Sequence, residues 1–169
     1  KGIKELDTTF KGFLYAGLMI VNDEPYLIEY NVRMGDPECQ TILPKLESDF
    51  FEIILACVNK DLKSVDIEWY DDKSLCIVLC AKGYPEVYKK NIEIKKLNEV
   101  NLESNEFIFH AGTIKKNNQI LSNGGRVLNF VVRSNSFQFS RNAAIKLINK
   151  INWDDGFYRK DIGYKVIDK

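Results

Sequence analysis

Three polar side chains spaced two apart, Glu29, Asn31 and Arg33, begin within the apolar run at residues 26–30 and continue past its end. In extended chain alternate side chains share a face. The spacing therefore gathers a carboxylate, an amide oxygen and a guanidinium on one patch, with Tyr30 and Val32 expected to pack on the other side. A magnesium ion takes oxygen ligands and shares them with nucleotide phosphates, and a guanidinium neutralises phosphate oxygens. Glu29 and Asn31 are thus suited to hold such an ion, with Arg33 as the local cation. The same residues also describe the polar end of an ordinary exposed strand, and spacing alone leaves both readings open.

Asp36 lies in the glycine- and proline-containing segment 31–38, where it either reaches a ligand or caps the turn at Asp36-Pro37. Gly124-Gly125-Arg126 offers a second candidate. Glycines permit tight backbone geometry and bring N–H groups and an arginine close to an anion. A glycine turn with Arg126 in a surface ion pair fits equally well. His110, the single histidine, sits in an apolar run and reads as a hydrogen-bonded structural residue. Cys39, Cys57, Cys76 and Cys80 form no CxxC pair and no zinc pattern, so reduced, mostly buried thiols are expected. Cys76 and Cys80 fall on one face of one strand, a poor geometry for a disulfide.

The elements that position these residues follow from periodicity. Residues 13–21 and 26–30 read as a hairpin around Asn22-Asp23-Glu24-Pro25, and the second strand runs into the polar loop 31–38. Leu46, Phe50, Ile54, Leu55 and Val58 follow helical spacing, with Ser48 as expected N-cap and an end near Asn59. Residues 61–72 read as a connection in which Trp69 and Tyr70 pack down, and a domain boundary is expected near Asp72, giving domains 1–72 and 73–169. Beyond it come strands at 75–81, 107–113, 119–121 and 127–132, with turns at Lys82-Gly83-Tyr84-Pro85 and Asn117-Asn118. A helix over 137–151 carries Ala144, Leu147, Ile148 and Ile151 on one stripe.

Composition bounds the functions. The chain has 169 residues, 45% of them hydrophobic, enough for one domain or two small ones. Lys and Arg total 24 against 24 Asp and Glu, so no net field holds a polyanion and nucleic-acid binding is not expected. No apolar run approaches the roughly 20 residues of a membrane span, and no signal core is evident, so no membrane partner and a cytoplasmic location are expected. The opening Lys1-Gly2-Ile3, without a methionine, suggests a piece of something longer.

The run Leu14-Tyr15-Ala16-Gly17-Leu18-Met19-Ile20, followed by Ile28-Glu29-Tyr30-Asn31-Val32-Arg33-Met34-Gly35-Asp36-Pro37-Glu38, resembles the end of the ATP-grasp domain of phosphoribosylamine glycine ligases. Lys82-Gly83-Tyr84-Pro85, His110-Ala111-Gly112-Thr113, Gly124-Gly125-Arg126-Val127-Leu128 and Arg159-Lys160-Asp161-Ile162-Gly163-Tyr164 resemble that family's later motifs, in order. Glu-x-Asn alone is common to many ATP-grasp enzymes. The full string through Glu38, with the later motifs, is far more specific, and Met34 departs from it where the family more often has phenylalanine.

The resemblance implies an α+β fold: the last part of an ATP-grasp domain, then a small, mainly antiparallel, barrel-like β domain with a packed C-terminal helix. It implies a ligase in which ATP phosphorylates the glycine carboxylate and the amine of 5-phosphoribosylamine attacks the glycyl phosphate, giving an amide, ADP and phosphate in purine synthesis. Glu29 and Asn31 match the family's magnesium (or manganese) ligands, and Arg33 would stabilise the transferring phosphoryl group. Asp36 would orient an amine of glycine or of the second substrate, and Gly124, Gly125 and Arg126 would receive the phosphate of phosphoribosylamine. The lobes carrying the nucleotide-clamping lysines and glycine-rich loop are absent, so the N-terminal part of the enzyme is an implied partner and the chain alone is expected to be inactive. Another ATP-grasp ligase, a carboxylase component, and a non-catalytic fragment that only keeps the fold are the competing readings.

Overall fold

A computed structural model describes Glu5 and residues 10–167; the opening Lys1-Gly2-Ile3 lies outside the described residues. The chain divides into two units, one taking in the described residues up to Cys39 together with Leu46–Tyr70, the other Gln40–Lys45 together with the described residues from Asp71 on.

In the first unit, β1 (Tyr15–Val21) and β2 (Glu24–Asn31) form an antiparallel hairpin. Its turn is only Asn22-Asp23, both at positive φ (52° and 64°), the two-residue geometry that follows the right-handed strand twist. Glu24 and Pro25, expected in the turn, already belong to β2. A short helix (α1, Glu38–Ile42), which the sequence reading had as loop and unassigned chain, starts in this unit and ends among the residues of the other, and α2 (Phe50–Asn59) belongs to the first unit again.

The cap of α2 is not the expected one. Asp49 accepts from Phe51 N–H at 2.7 Å and Glu52 N–H at 3.4 Å, and its charge suits the positive end of the helix. Ser48 is engaged elsewhere, its hydroxyl accepting from Glu68 N–H at 2.7 Å, while Leu46 bridges Trp69. Trp69 and Tyr70 are exposed rather than packed down.

The second unit is a four-stranded antiparallel sheet in the order β4 (Glu106–His110), β7 (Arg126–Ser134), β3 (Lys73–Ala81), β8 (Gly156–Phe157), with a separate hairpin of β5 (Thr113–Lys116) and β6 (Gln119–Ser122). The sheet is open: among the described residues the strands close no barrel. The single strand expected over 107–113 is broken, because residues 106–110 pair with β7 while Thr113 begins the β5 hairpin.

One face of the sheet carries Leu75, Ile77 and Leu79 of β3 and Leu128, Phe130 and Val132 of β7. Against it packs α3 (Phe137–Ile151), which buries Ala144, Leu147, Ile148 and Ile151, the stripe the sequence predicts. Ser136 caps α3 by accepting from Phe139 N–H at 3.1 Å. Arg141 of α3 donates to Ile162 O at 3.0 Å and also to Lys160 O, tying down the segment before α4 (Tyr164–Ile167). Every buried apolar side chain lies between Leu75 and Ile151, so the first unit has none among the described residues. Among the described residues no helix is long and apolar enough to cross a membrane.

Candidate functional site

The end of the β1–β2 hairpin assembles the first candidate. Asn31 Nδ2 donates to Glu29 Oε1 at 2.9 Å, which puts the two side chains on one face, as alternation requires. With the amide nitrogen turned to Glu29, the amide oxygen and the second carboxylate oxygen are the atoms left to face a cation. This is an all-oxygen donor set of the kind magnesium or manganese takes, and it fits a metal that also keeps water and phosphate ligands. Among the described residues no group of three or more His, Cys, Asp or Glu side chains is placed to enclose a metal.

Register explains why Glu29 has room. Continuing the pairing from the turn, Glu29 would lie opposite Ala16; a bulge that leaves Ile28 without a partner moves it opposite Gly17. A β-carbon on Gly17 would sit 3.2 Å from Glu29 Cγ, tight enough to push the side chain. Tyr15 lies opposite Asn31 on the same face, a residue that sequence reasoning missed. Desolvation of its half-buried ring, the charge of Glu38, a hydrogen bond to Glu38 and the charge of Glu29 all raise its phenol above the ordinary value, keeping it a neutral donor. Hairpin pairing was the signal for Tyr15, but the bulge hides the register from the sequence.

The other predicted residues of this segment are placed as follows. Arg33 is exposed and donates from Nη1 to its neighbour's carbonyl, Met34 O, at 2.9 Å. Asp36 is exposed, precedes a cis peptide bond to Pro37, and adds its charge to the burial that pushes the Cys39 thiol up. Tyr30 and Val32, expected to pack, are 62% and 73% exposed.

The second candidate, in the second unit, is a packing junction. Neither Gly124 nor Gly125 has positive φ, so left-handed geometry is not the reason for the pair. Close approach is: a β-carbon on Gly125 would lie 2.0 Å from Cδ2 of Tyr84, and one on Gly112 would lie 2.6 Å from the Gly124 Cα. Arg126 is half-buried and pairs with Cys80 across β7 and β3; burial pushes the Cys80 thiol up and the Arg126 charge opposes that shift. His110 is exposed and its Nδ1 lies 2.7 Å from Thr113 Oγ1, a hydrogen-bonded residue as expected. Arg159 and Asp161 form a two-bond pair at 3.0 and 2.6 Å on the surface, each favouring the other's charged form, a contact of small weight in open solvent.

Residues 1–39 match the ATP-grasp (A) domain of phosphoribosylglycinamide synthetase, which sets the class as ATP-grasp, and the Glu29–Asn31 pair lies within that match. Residues 74–165 match the C domain of the same synthetase. The chain belongs to the phosphoribosylglycinamide synthetase family.

A phosphoribosylamine-glycine ligase of Caldanaerobacter subterraneus is 44% identical over 160 residues, 95% of this chain and 38% of that protein. The trifunctional purine biosynthetic protein adenosine-3 of Gallus gallus is 41% identical over 170 residues, 98% of this chain and 17% of that protein. The crystal structure of the phosphoribosylamine-glycine ligase of Thermotoga maritima superposes with a TM-score of 0.75 at 31% identity, covering 96% of this chain and 39% of that one. The chain thus spans about 40% of the length of the ligases it matches.

Proposed function

We propose that this chain is part of an ATP-dependent ligase that joins glycine to 5-phosphoribosylamine, with ADP and phosphate as the other products. The observation that carries the reading is the Glu29–Asn31 pair, its 2.9 Å contact and the position of Glu29 opposite Gly17, within residues matching the ATP-grasp domain. Glu29 and Asn31 would hold magnesium or manganese, which supplies charge neutralisation for phosphoryl transfer from ATP. Arg33, at the exposed strand end, would meet phosphate oxygens, and its bond to Met34 O is one that a phosphate can replace. Asp36 would accept from a substrate amine. Gly124, Gly125 and Arg126 would form the wall that receives the phosphate of phosphoribosylamine.

The domain division proposed is 1–72 and 73–169, supported by the compact unit that begins again at Asp71 and by the C-domain match from residue 74. The N-terminal remainder of the ligase is the proposed partner, supplying the other side of the nucleotide clamp. Cytoplasm, where purine precursors and ATP are made, is the proposed location.

The test is Glu29→Gln in the complete ligase carrying this sequence. Loss of one anionic ligand is expected to lower turnover by about a hundredfold or more, the scale of removing one preorganised charge contact, with the unfolding temperature unchanged. Equal turnover at saturating magnesium rejects the assignment.

A further inference from the structure

Two sequence motifs without an assigned role, Lys82-Gly83-Tyr84-Pro85 and His110-Ala111-Gly112-Thr113, meet at Gly124-Gly125-Arg126. Ala81 N–H donates to Gly125 O at 2.8 Å, and Tyr84 N–H donates to Ala81 O at 3.1 Å, so one residue links the turn to the glycine pair. From the other side Gly112 N–H donates to Arg126 O at 2.8 Å, and Asn123 N–H to Gly112 O at 2.7 Å. Two successive carbonyls, those of Gly125 and Arg126, are therefore tied to two different segments. The Tyr84 ring fills the space a side chain at residue 125 would need, with its Cδ2, Cε2 and Cγ lying 2.0, 2.5 and 2.9 Å from where that β-carbon would stand. Tyr88 supports the ring edge-on at 6.1 Å between centroids.

We infer that Tyr84 is the positioning residue for Arg126: its ring, seated on Gly125, fixes where β7 begins and hence where the guanidinium is carried. The contact is made by the Cγ–Cδ2–Cε2 side of the ring and needs no hydroxyl. The inference rests on the proposed role of Arg126 as the receiver of the phosphoribosylamine phosphate. A shift of about 1 Å in such a group costs up to a hundredfold in use of the ligand it serves, while ligands held elsewhere are spared.

The experiment compares steady-state kinetics of Tyr84→Phe, Tyr84→Leu, Arg126→Ala and the Tyr84→Leu/Arg126→Ala double variant in the complete ligase carrying this sequence. Tyr84→Phe keeps the ring and is expected to match the parent. Tyr84→Leu is expected to raise the KM for phosphoribosylamine by about tenfold or more, with KM for glycine and ATP within about twofold. The double variant is expected to be no worse than Arg126→Ala, because Tyr84 acts through that residue. If Tyr84→Leu is insoluble, Gly125→Ala displaces the ring from the opposite side and is expected to give the same selective rise. An unchanged phosphoribosylamine KM in the soluble variant, or additive losses in the double variant, overturns the positioning role. If Arg126→Ala itself leaves the phosphoribosylamine KM unchanged, the phosphate assignment fails first, which separates the two errors.

Discussion

Glu29 can extend along β1 because residue 17, opposite it, has no side chain. Gly17→Val puts branched carbon where a β-carbon alone would stand 3.2 Å from Glu29 Cγ, so the carboxylate must swing away from Asn31. In the complete ligase this substitution is expected to raise the magnesium concentration needed for half-maximal rate several-fold; an unchanged magnesium dependence would show that Glu29 is free to adapt. At the other candidate, Cys80 reports on Arg126. Burial raises the thiol and the guanidinium holds it back, so Arg126→Ala is expected to raise it further and slow Cys80 alkylation at fixed pH. Alkylation at the parental rate, read by mass spectrometry of the Cys80 peptide, would place the guanidinium away from that thiol.

Elements were legible where one signal dominated. The helix over 137–151 had an apolar stripe of helical spacing, and the structure has those bounds. Leu147 is fully buried at its centre, and Leu147→Ala is expected to cost about 2–5 kcal/mol, while Ser136→Ala, which removes the cap, should cost about 1 kcal/mol. Chemical denaturation of the isolated chain measures both, and equal small losses would mean α3 is not packed as described. Competing signals were harder to read. Ser48 and Asp49 are both good caps, and contacts with Asp66 and Glu68, eighteen and twenty residues away, assign Ser48 other partners. The run 107–113 alternates well enough for one strand; residues up to Gly112 still bond to β7, through Gly112 N–H to Arg126 O, and the run is split where Thr113 turns to pair with Ser122 of β6. The Glu29–Asn31 pairing followed from period-two alternation, but Tyr15 and Gly17 needed the bulge at Ile28, a tertiary feature with no local mark.

The two units differ in what they bury. Among the described residues all buried apolar side chains belong to the unit that runs from Asp71, whereas β1 and β2 leave Leu18, Met19, Ile20, Leu27 and Ile28 about half exposed or more. A two-stranded hairpin with α2 does not bury enough surface to be stable alone. Limited proteolysis of the isolated chain is therefore expected to cut before Tyr70 and leave a resistant fragment of about residues 71–167, since cleavage follows local opening. Early cuts within β3 or β7 would contradict this. The chain matches about 40% of the length of the related ligases, and phosphoryl transfer depends on groups held in register from both sides of the nucleotide. The most direct test is coupled ADP release with ATP, magnesium, glycine and freshly prepared phosphoribosylamine, run on the 169-residue chain and on the complete ligase carrying it. The complete enzyme is expected to release ADP only when both glycine and phosphoribosylamine are present, and the isolated chain to stay at background; product from the isolated chain, or ADP release that needs neither substrate, would contradict the account.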